Sequence, residues 1–475
     1  MNTPTTRLDN DKNFDSEIGS IQNLCDLNTS IIKITDNDDV EANITKTEES
    51  YKVQVFARVD ENLDDNINFS FTLHQKEYKT THIGNRSSHA NFSADKSSNF
   101  QTSFDLNSFQ SNRFKASSLF KAFFRTSQKE TNTFHDQFET ITHSRNNREY
   151  FYDCLRINLN DRQYDVTQLK HNGFGYYVFE CLQEQTISDF SEACFSIQQA
   201  IGFITRLMLG GERFIFDESG ELLYSNYARP KIKGMYSPIT TNPYSYLDID
   251  RDIAEEYLNK LTRISLSQLS NLVQRIHREP DFSSAILVIL EATSLRSLLL
   301  IPSSFAVIIE QLSKHLSFEE RGLERPINDQ ELQANIIENL HKVIDQEPSL
   351  SPESTLKLKR RLNEINKPIN KQHLTNNEKL TRPFEQLGIH LTLHDIKIIE
   401  HRNDLLHGNI LLKDNEDRNT DMTNLYMTYV SAKLFTLISK LILKSVGYVG
   451  YVYNQAKYLE VHLNIDTDED YFEKI

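Results

Sequence analysis

The chain has 475 residues, a formal net charge of −15 at pH 7, 38% hydrophobic and 25% charged residues, four cysteines and no tryptophan. That length accommodates two or three domains, each with a core of its own, and the charge deficit argues against a protein coated in nucleic acid while leaving room for a local basic patch. Cys25, Cys154, Cys181 and Cys194 are too scattered for a zinc site or a disulfide framework and read as buried or idle thiols, and neither a membrane span nor a signal peptide is predicted, so cytoplasm is expected.

Residues 1–48 are acidic: residues 1–50 carry eleven Asp or Glu against four Lys or Arg. With little hydrophobic periodicity this segment is expected to be partly disordered, above all over about the first thirty residues. Residues 49–245 read as a strand-rich domain. Val53, Val55, Ala57 and Val59 alternate with mostly polar residues, as do Ile67, Phe69, Phe71 and Leu73, which predicts two strands. Asp64-Asp65-Asn66 between them suits a hairpin connection. Phe92, Phe100, Phe104, Phe109, Phe114, Phe120, Phe123 and Phe124 punctuate a Ser-, Asn- and Gln-rich stretch. They fit core anchors, or aromatics that stack on bases beside Arg113, Lys115, Lys121 and Arg125. Phe151 to Leu182 reads as further strands. Phe190, Cys194, Ile197, Ile201, Ile204 and Met208 form one face of a helix for which Gly210-Gly211 supplies a stop. Arg213 to Tyr224 reads as a hairpin turning at Asp217-Glu218-Ser219-Gly220.

Beyond residue 245 the periodicity is helical. Residues 246–279 are expected to form a connecting helix, residues 280–463 a helical bundle and residues 464–475 an acidic, solvated tail. Helices are predicted over Asp250 to Ile276, Phe282 to Leu300, Ser303 to Leu316, Asp329 to Asp345, Pro352 to Ile365, Leu393 to His407 and Thr423 to Ser445. The fold class is therefore α+β, strands first and helices after. Between Ser351 and Arg382 eight basic residues face three acidic ones, 8 − 3 = +5. Within that stretch Lys357, Lys359, Arg360 and Arg361 are candidate RNA-binding residues, or one solvated helix face.

The segment Thr392 to Gly408 carries the chemistry. Thr392 and Asp395 can form a capping box, Leu393, Ile396, Ile399 and Leu406 would make a buried stripe, and Gly408 suits the helix stop. Arg402 and His407 then lie at the last turn, about 140° apart around an ideal helix. Asn403, four residues before His407, can orient its imidazole. A histidine titrates near neutrality and transfers protons, and an arginine holds a phosphate and its developing charge. Alternatively, Arg402 pairs with Glu400 or Asp404 and His407 caps the helix. Glu310, within an apolar run, either pairs with Arg402 or faces water. His390, His394 and His401 read as surface histidines, so no metal and no cofactor are expected.

Arg402-Asn403-Asp404-Leu405-Leu406-His407, followed by Gly408 and a long apolar helix, resembles the signature of the HEPN superfamily. The resemblance implies an all-α bundle that dimerises about the motif, binds RNA and often cleaves it without metal, with Arg402 and His407 catalytic and Asn403 supporting. A strand-rich region before such a domain is similar to ApeA-type antiphage proteins, which implies an abortive-infection or toxin-like effector with a sensor for an unidentified trigger. The alternative is a non-catalytic HEPN module that binds nucleotide or RNA, or scaffolds a partner.

Overall fold

Alternating apolar side chains build most of the amino-terminal half into a single sheet. The computed structural model describes residues 7–8, 13–27, 30–33, 41–48, 50–58, 70–73, 76–92, 98–131, 134–145, 148–227, 230–245, 249–316, 329–365, 376–401, 420–463 and 469–475. Among these, fourteen strands join one sheet, and its middle runs in the order Arg148–Leu159, Arg162–His171, Phe174–Cys181, Lys121–Ser127, Glu212–Phe216, Leu222–Tyr227, Ser98–Ser111, Tyr51–Arg58. Each of these neighbours is antiparallel to the next. Helices dominate after residue 250, so the chain is α+β.

The period of two sends successive residues to opposite faces. Phe123, Val178, Phe214 and Phe216 enter one core, while Phe124, Tyr177, Phe179 and Ile215 enter another. Tyr51, Val53 and Val55 line the first, as the alternation predicts, and the helix Asp15–Cys25 covers it through Ile18, Ile21 and Leu24. That helix corrects the expectation of disorder over the first thirty residues. Its acidic residues mask a stripe at a helical spacing of three. The strand pairing also differs from expectation. Tyr51–Arg58 pairs with Glu41–Lys46 and Ser98–Ser111, whereas Ser70–Leu73 pairs with Lys76–Phe92; Val59, Ile67, Phe69 and the connection between the two strands lie outside the described residues. Phe104, Phe109, Phe120, Phe123 and Phe124 are buried core anchors. The hairpin at Asp217 forms as read, its carboxylate accepting from the Ser219 and Glu221 N–H groups.

The second core carries the strand-rich half into the helices. The helix Ile187–Thr205 lies on the sheet, capped by Thr186 and ended by Arg206 at φ 59° rather than by the glycine pair. Here the chain doubles back so closely that a Cβ at Gly202 would sit 2.7 Å from Met208 Cβ. The expected helix Asp250 to Ile276 is two, Arg251–Tyr257 and Leu266–Arg278, because a Ser265–Gln268 capping box starts a new one. Pro280–Leu295, Leu300–Leu316, Gln330–Gln346, Pro352–Ile365 and Thr420–Ser445 follow close to the predicted bounds. Asn376–Gln386 was not predicted, since Pro383 lies inside it. Phe435 joins the halves: its ring centroid lies 5.1 Å from Tyr236, 6.0 Å from Phe305 and 6.4 Å from Phe203. Among the described residues no helix is long and apolar enough to cross a membrane.

Candidate functional site: the anchored helix before Arg402

The helix Leu393–Glu400 begins where Thr392 turns the backbone extended, and the capping box closes both ways. Thr392 Oγ1 accepts from the Asp395 N–H at 3.0 Å, and the Thr392 N–H donates to Asp395 Oδ2 at 3.0 Å. At the other end the His401 N–H donates to the Lys397 carbonyl at 3.1 Å, so helical geometry holds to the residue before Arg402. Arg402, Asn403, His407 and Gly408 themselves lie outside the described residues, as do Asp404 and Leu406.

The buried stripe differs from the expected one. Asp395, Ile398 and Ile399 face inward, Ile396 is half-buried, and Leu393 is 81% exposed. Asp395 can stand on the inward face because its carboxylate lies against Lys433, a pairing that apolar periodicity does not register. Lys433 Nζ lies 2.9 Å from Asp395 Oδ1 and 3.9 Å from Glu473 Oε1, and bonds Glu469. Lys440, two turns along Thr420–Ser445, bonds Glu473. Thr392 Oγ1 donates to Glu469 Oε1 at 3.2 Å, and Asn454 Nδ2 donates to Glu469 Oε2 at 3.3 Å. One network thus ties the start of the motif helix, the long helix and the carboxy terminus together.

Burying ions costs several kcal/mol each unless partners repay it. For Asp395 and Lys433 the partners do. Burial would raise the Asp395 carboxyl, but Lys433 and Lys440 hold it below the usual carboxylate range. Burial would depress Lys433, yet Glu473, Asp395 and Glu469 keep its ammonium above the ordinary lysine value. Glu473 behaves oppositely, pushed up by burial against the pull of both lysines. Beside this network, His394 Nε2 lies 2.8 Å from Tyr429 Oη, and burial lowers the imidazole and raises the phenol. The ammonium groups are taken up by carboxylates, so the cluster serves as an anchor rather than as reacting groups.

The carboxy terminus corrects the expectation of a solvated tail. Phe472–Lys474 pairs with Tyr451–Tyr453, and Phe472 packs 4.9 Å from Tyr257. Lys433, Lys440, Glu469 and Glu473 were missed by the sequence reading. A signal existed: two lysines seven residues apart share a face of an otherwise apolar helix, and buried cations need acids.

Lys357, Lys359, Arg360 and Arg361 lie on Pro352–Ile365, which packs chiefly on Gln330–Gln346. Lys357 pairs with Glu353 at 2.8 Å and Lys359 with Asp345, while Arg360 and Arg361 are exposed. Glu310 lies 3.2 Å from Lys314 on its own helix, and Glu400 accepts from Asn377 Nδ2 at 3.1 Å. His390 and His401 are exposed, and among the described residues no group of three or more His, Cys, Asp or Glu is arranged to hold a metal ion. Cys154, Cys181 and Cys194 are buried thiols and Cys25 is half-buried. No family model, no curated protein and no solved structure matches the chain.

Proposed function

We propose that the chain is a metal-independent endoribonuclease of HEPN type, acting in the cytoplasm as an antiphage or abortive-infection effector. The observation that carries this reading is the Arg402-x4-His407 motif, entered from a helix that is capped, anchored by buried ion pairs and regular up to His401. A helix held in this way up to His401 supports the reading, because positioning is what phosphoryl chemistry chiefly requires. His407 takes the proton of the ribose 2′-OH as its oxygen attacks phosphorus, and Arg402 neutralises the added charge on the phosphate. The P–O5′ bond breaks as the P–O2′ bond forms, the 5′-oxygen takes a proton from solvent water, and a 2′,3′-cyclic phosphate remains. Asn403 orients the imidazole. RNA is the substrate and no cofactor takes part.

Two copies meeting at the motif helix would bring both Arg–His pairs to one groove, so the active form is proposed to be a homodimer. The strand-rich half is proposed to sense the trigger.

Purified wild type, Arg402→Ala and His407→Ala, incubated with total RNA in excess chelator, test this. Wild type should cleave and leave cyclic phosphate ends, and both variants should lose cleavage while unfolding as wild type does. A variant cutting at the wild-type rate removes that residue from the site. RNA binding without cleavage by the wild type would favour the non-catalytic module.

A further inference from the structure

Where the helix Asp15–Cys25 ends on the sheet, the fold leaves polar groups without partners. Arg125 and Tyr176 stand directly opposite each other on the paired strands Lys121–Ser127 and Phe174–Cys181, so both side chains project to one face. Tyr176 is fully buried, and its hydroxyl makes no hydrogen bond. Burial raises the phenol, and the Arg125 guanidinium acts against that rise. The last turn of the helix borders this point through Gln22 and Cys25, both half-buried. Burial pushes the Cys25 thiol up as well, with Arg125 beside it again pulling down. One guanidinium therefore faces a buried hydroxyl and a thiol, and neither neutralises it.

Arg125 is itself half-buried, with its Cζ 3.6 Å from the centre of the Phe174 ring, and Phe174 is 39% exposed. Among the described residues no carboxylate forms an ion pair with it. Glu212, at the start of the neighbouring strand Glu212–Phe216, is already engaged: it accepts from Tyr51 Oη at 2.6 Å and from Ser225 Oγ at 2.9 Å, and it pairs with Lys46. Lys46 lies 4.1 Å from the centre of the Tyr51 ring and 4.5 Å from that of Tyr227, which holds a second positive charge near Cys25 and Arg125. Asp26, the residue after the helix, is exposed. A half-buried guanidinium whose acidic neighbour is engaged elsewhere, opposite a buried donor with no acceptor, is a site that lacks its anion.

We infer that Arg125 and the Tyr176 hydroxyl bind the phosphate group of a small ligand between the sheet and the last turn of Asp15–Cys25. The fork of a guanidinium takes two oxygens of one anion. A carboxylate has both oxygens engaged by that fork, whereas a phosphate has a third for Tyr176. The half-buried Gln22 and Cys25 side chains, rather than backbone, are what an entering anion displaces. Phe174 at the rim offers a ring face on which the base of a nucleotide can stack. The site needs neither the ribonuclease activity nor a second copy of the chain.

Titration calorimetry of the full chain, without RNA, tests the site with two probes, inorganic phosphate and adenosine 5′-monophosphate. Wild type should bind both. Tighter binding of the nucleotide assigns the base to Phe174, and equal binding makes the phosphate group alone the ligand. Arg125→Gln should weaken binding by about a hundredfold and Tyr176→Phe by about tenfold, as the loss of two and of one charge-assisted hydrogen bond would. The Tyr176 hydroxyl has no partner to lose, so ligand-free Tyr176→Phe should melt at the wild-type temperature or above it. Binding of neither probe, or binding that both variants leave unchanged, overturns the proposal. So does a ligand-free Tyr176→Phe that melts well below wild type, because its hydroxyl would then already have a partner. RNA cleavage is read nowhere in this experiment, so its outcome and that of the ribonuclease test are independent.

Discussion

Asp395 carries two duties at once, the capping of a helix and the neutralisation of a buried ammonium. Its carboxylate is fully buried and lies 2.9 Å from Lys433 Nζ while accepting the Thr392 N–H. Asp395→Asn keeps the shape and removes the charge, leaving Lys433 with less compensation. Breaking a buried pair in this way costs about 3 kcal/mol, which urea unfolding at pH 7 would measure; a loss below about 1 kcal/mol would mean that Glu469 and Glu473 suffice. The pH dependence has a definite sign. Asp395 is held below its unfolded value, so the stability it contributes is present above about pH 4 and is lost as pH falls through its folded value. Glu473 is raised by burial, so its contribution is present below its unfolded value and is lost as pH rises through its folded one. Accordingly, Asp395→Asn should flatten the acid limb of the stability curve, and Glu473→Gln should flatten the limb at higher pH. If neither limb changes, the ion network does not set stability.

At the scale of elements, the carboxy-terminal strand Phe472–Lys474 acts as a clasp. Phe472 fills a site against Tyr257 and Tyr453, and Glu469 and Glu473 bring acids to Lys433 and Lys440. A chain ending at residue 468 should leave two buried ammonium groups with Asp395 as their remaining acid among these partners. We expect amide exchange in Leu393–Glu400 to quicken, with the strands Arg162–His171 and Phe174–Cys181 unaffected. Equal exchange in both forms would show that the capping box alone holds the helix. The same element shows what was legible in the sequence and what was not. The helix start at Thr392 was legible because a side chain capping its own backbone is a local interaction, though the same signal at Ser265 and Gln268 was passed over inside a longer helical period. Strands with clean alternation were legible for the same reason. The tail was not, since its composition reads as solvated and only its distant lysines change that. The strand pairing of Tyr51–Arg58 was hidden likewise, its partners being chosen by a shared core rather than by the turn beside it. The motif was visible as residue types and spacing, but the inward face of its helix includes one buried carboxylate that apolar periodicity leaves out.

For the whole molecule, the decisive feature is that one core crosses from the sheet into the helices. Ile197, Ile201 and Phe203 of the helix lying on the sheet belong to the same cluster as Phe305 and Ile309 and as Phe435 and Ile438 of the long helix. Polar contacts reinforce the junction: Gln455 Nε2 donates to the Ser237 carbonyl at 2.7 Å, and Ser237 Oγ donates to the Ile204 carbonyl at 2.7 Å. Because the core is shared, repacking of the sheet is expected to reach the helix that carries Lys433 and Lys440, which is the route the proposed sensing by the strand-rich half would use. Phe435 is the residue through which this coupling should be measurable. Removing its ring leaves a cavity bounded by Phe203, Tyr236 and Phe305, and a Phe→Ala change in a core costs about 3 to 5 kcal/mol. If both halves unfold as one unit, Phe435→Ala should accelerate amide exchange of the slowest protons by roughly a hundredfold or more, at 1.4 kcal/mol per tenfold. That acceleration should appear equally in the strand Phe174–Cys181 and in the helix Thr420–Ser445. If it appears in the helix alone, the strand-rich half is stable by itself, and the proposed signal from it to the motif would need a route other than the common core.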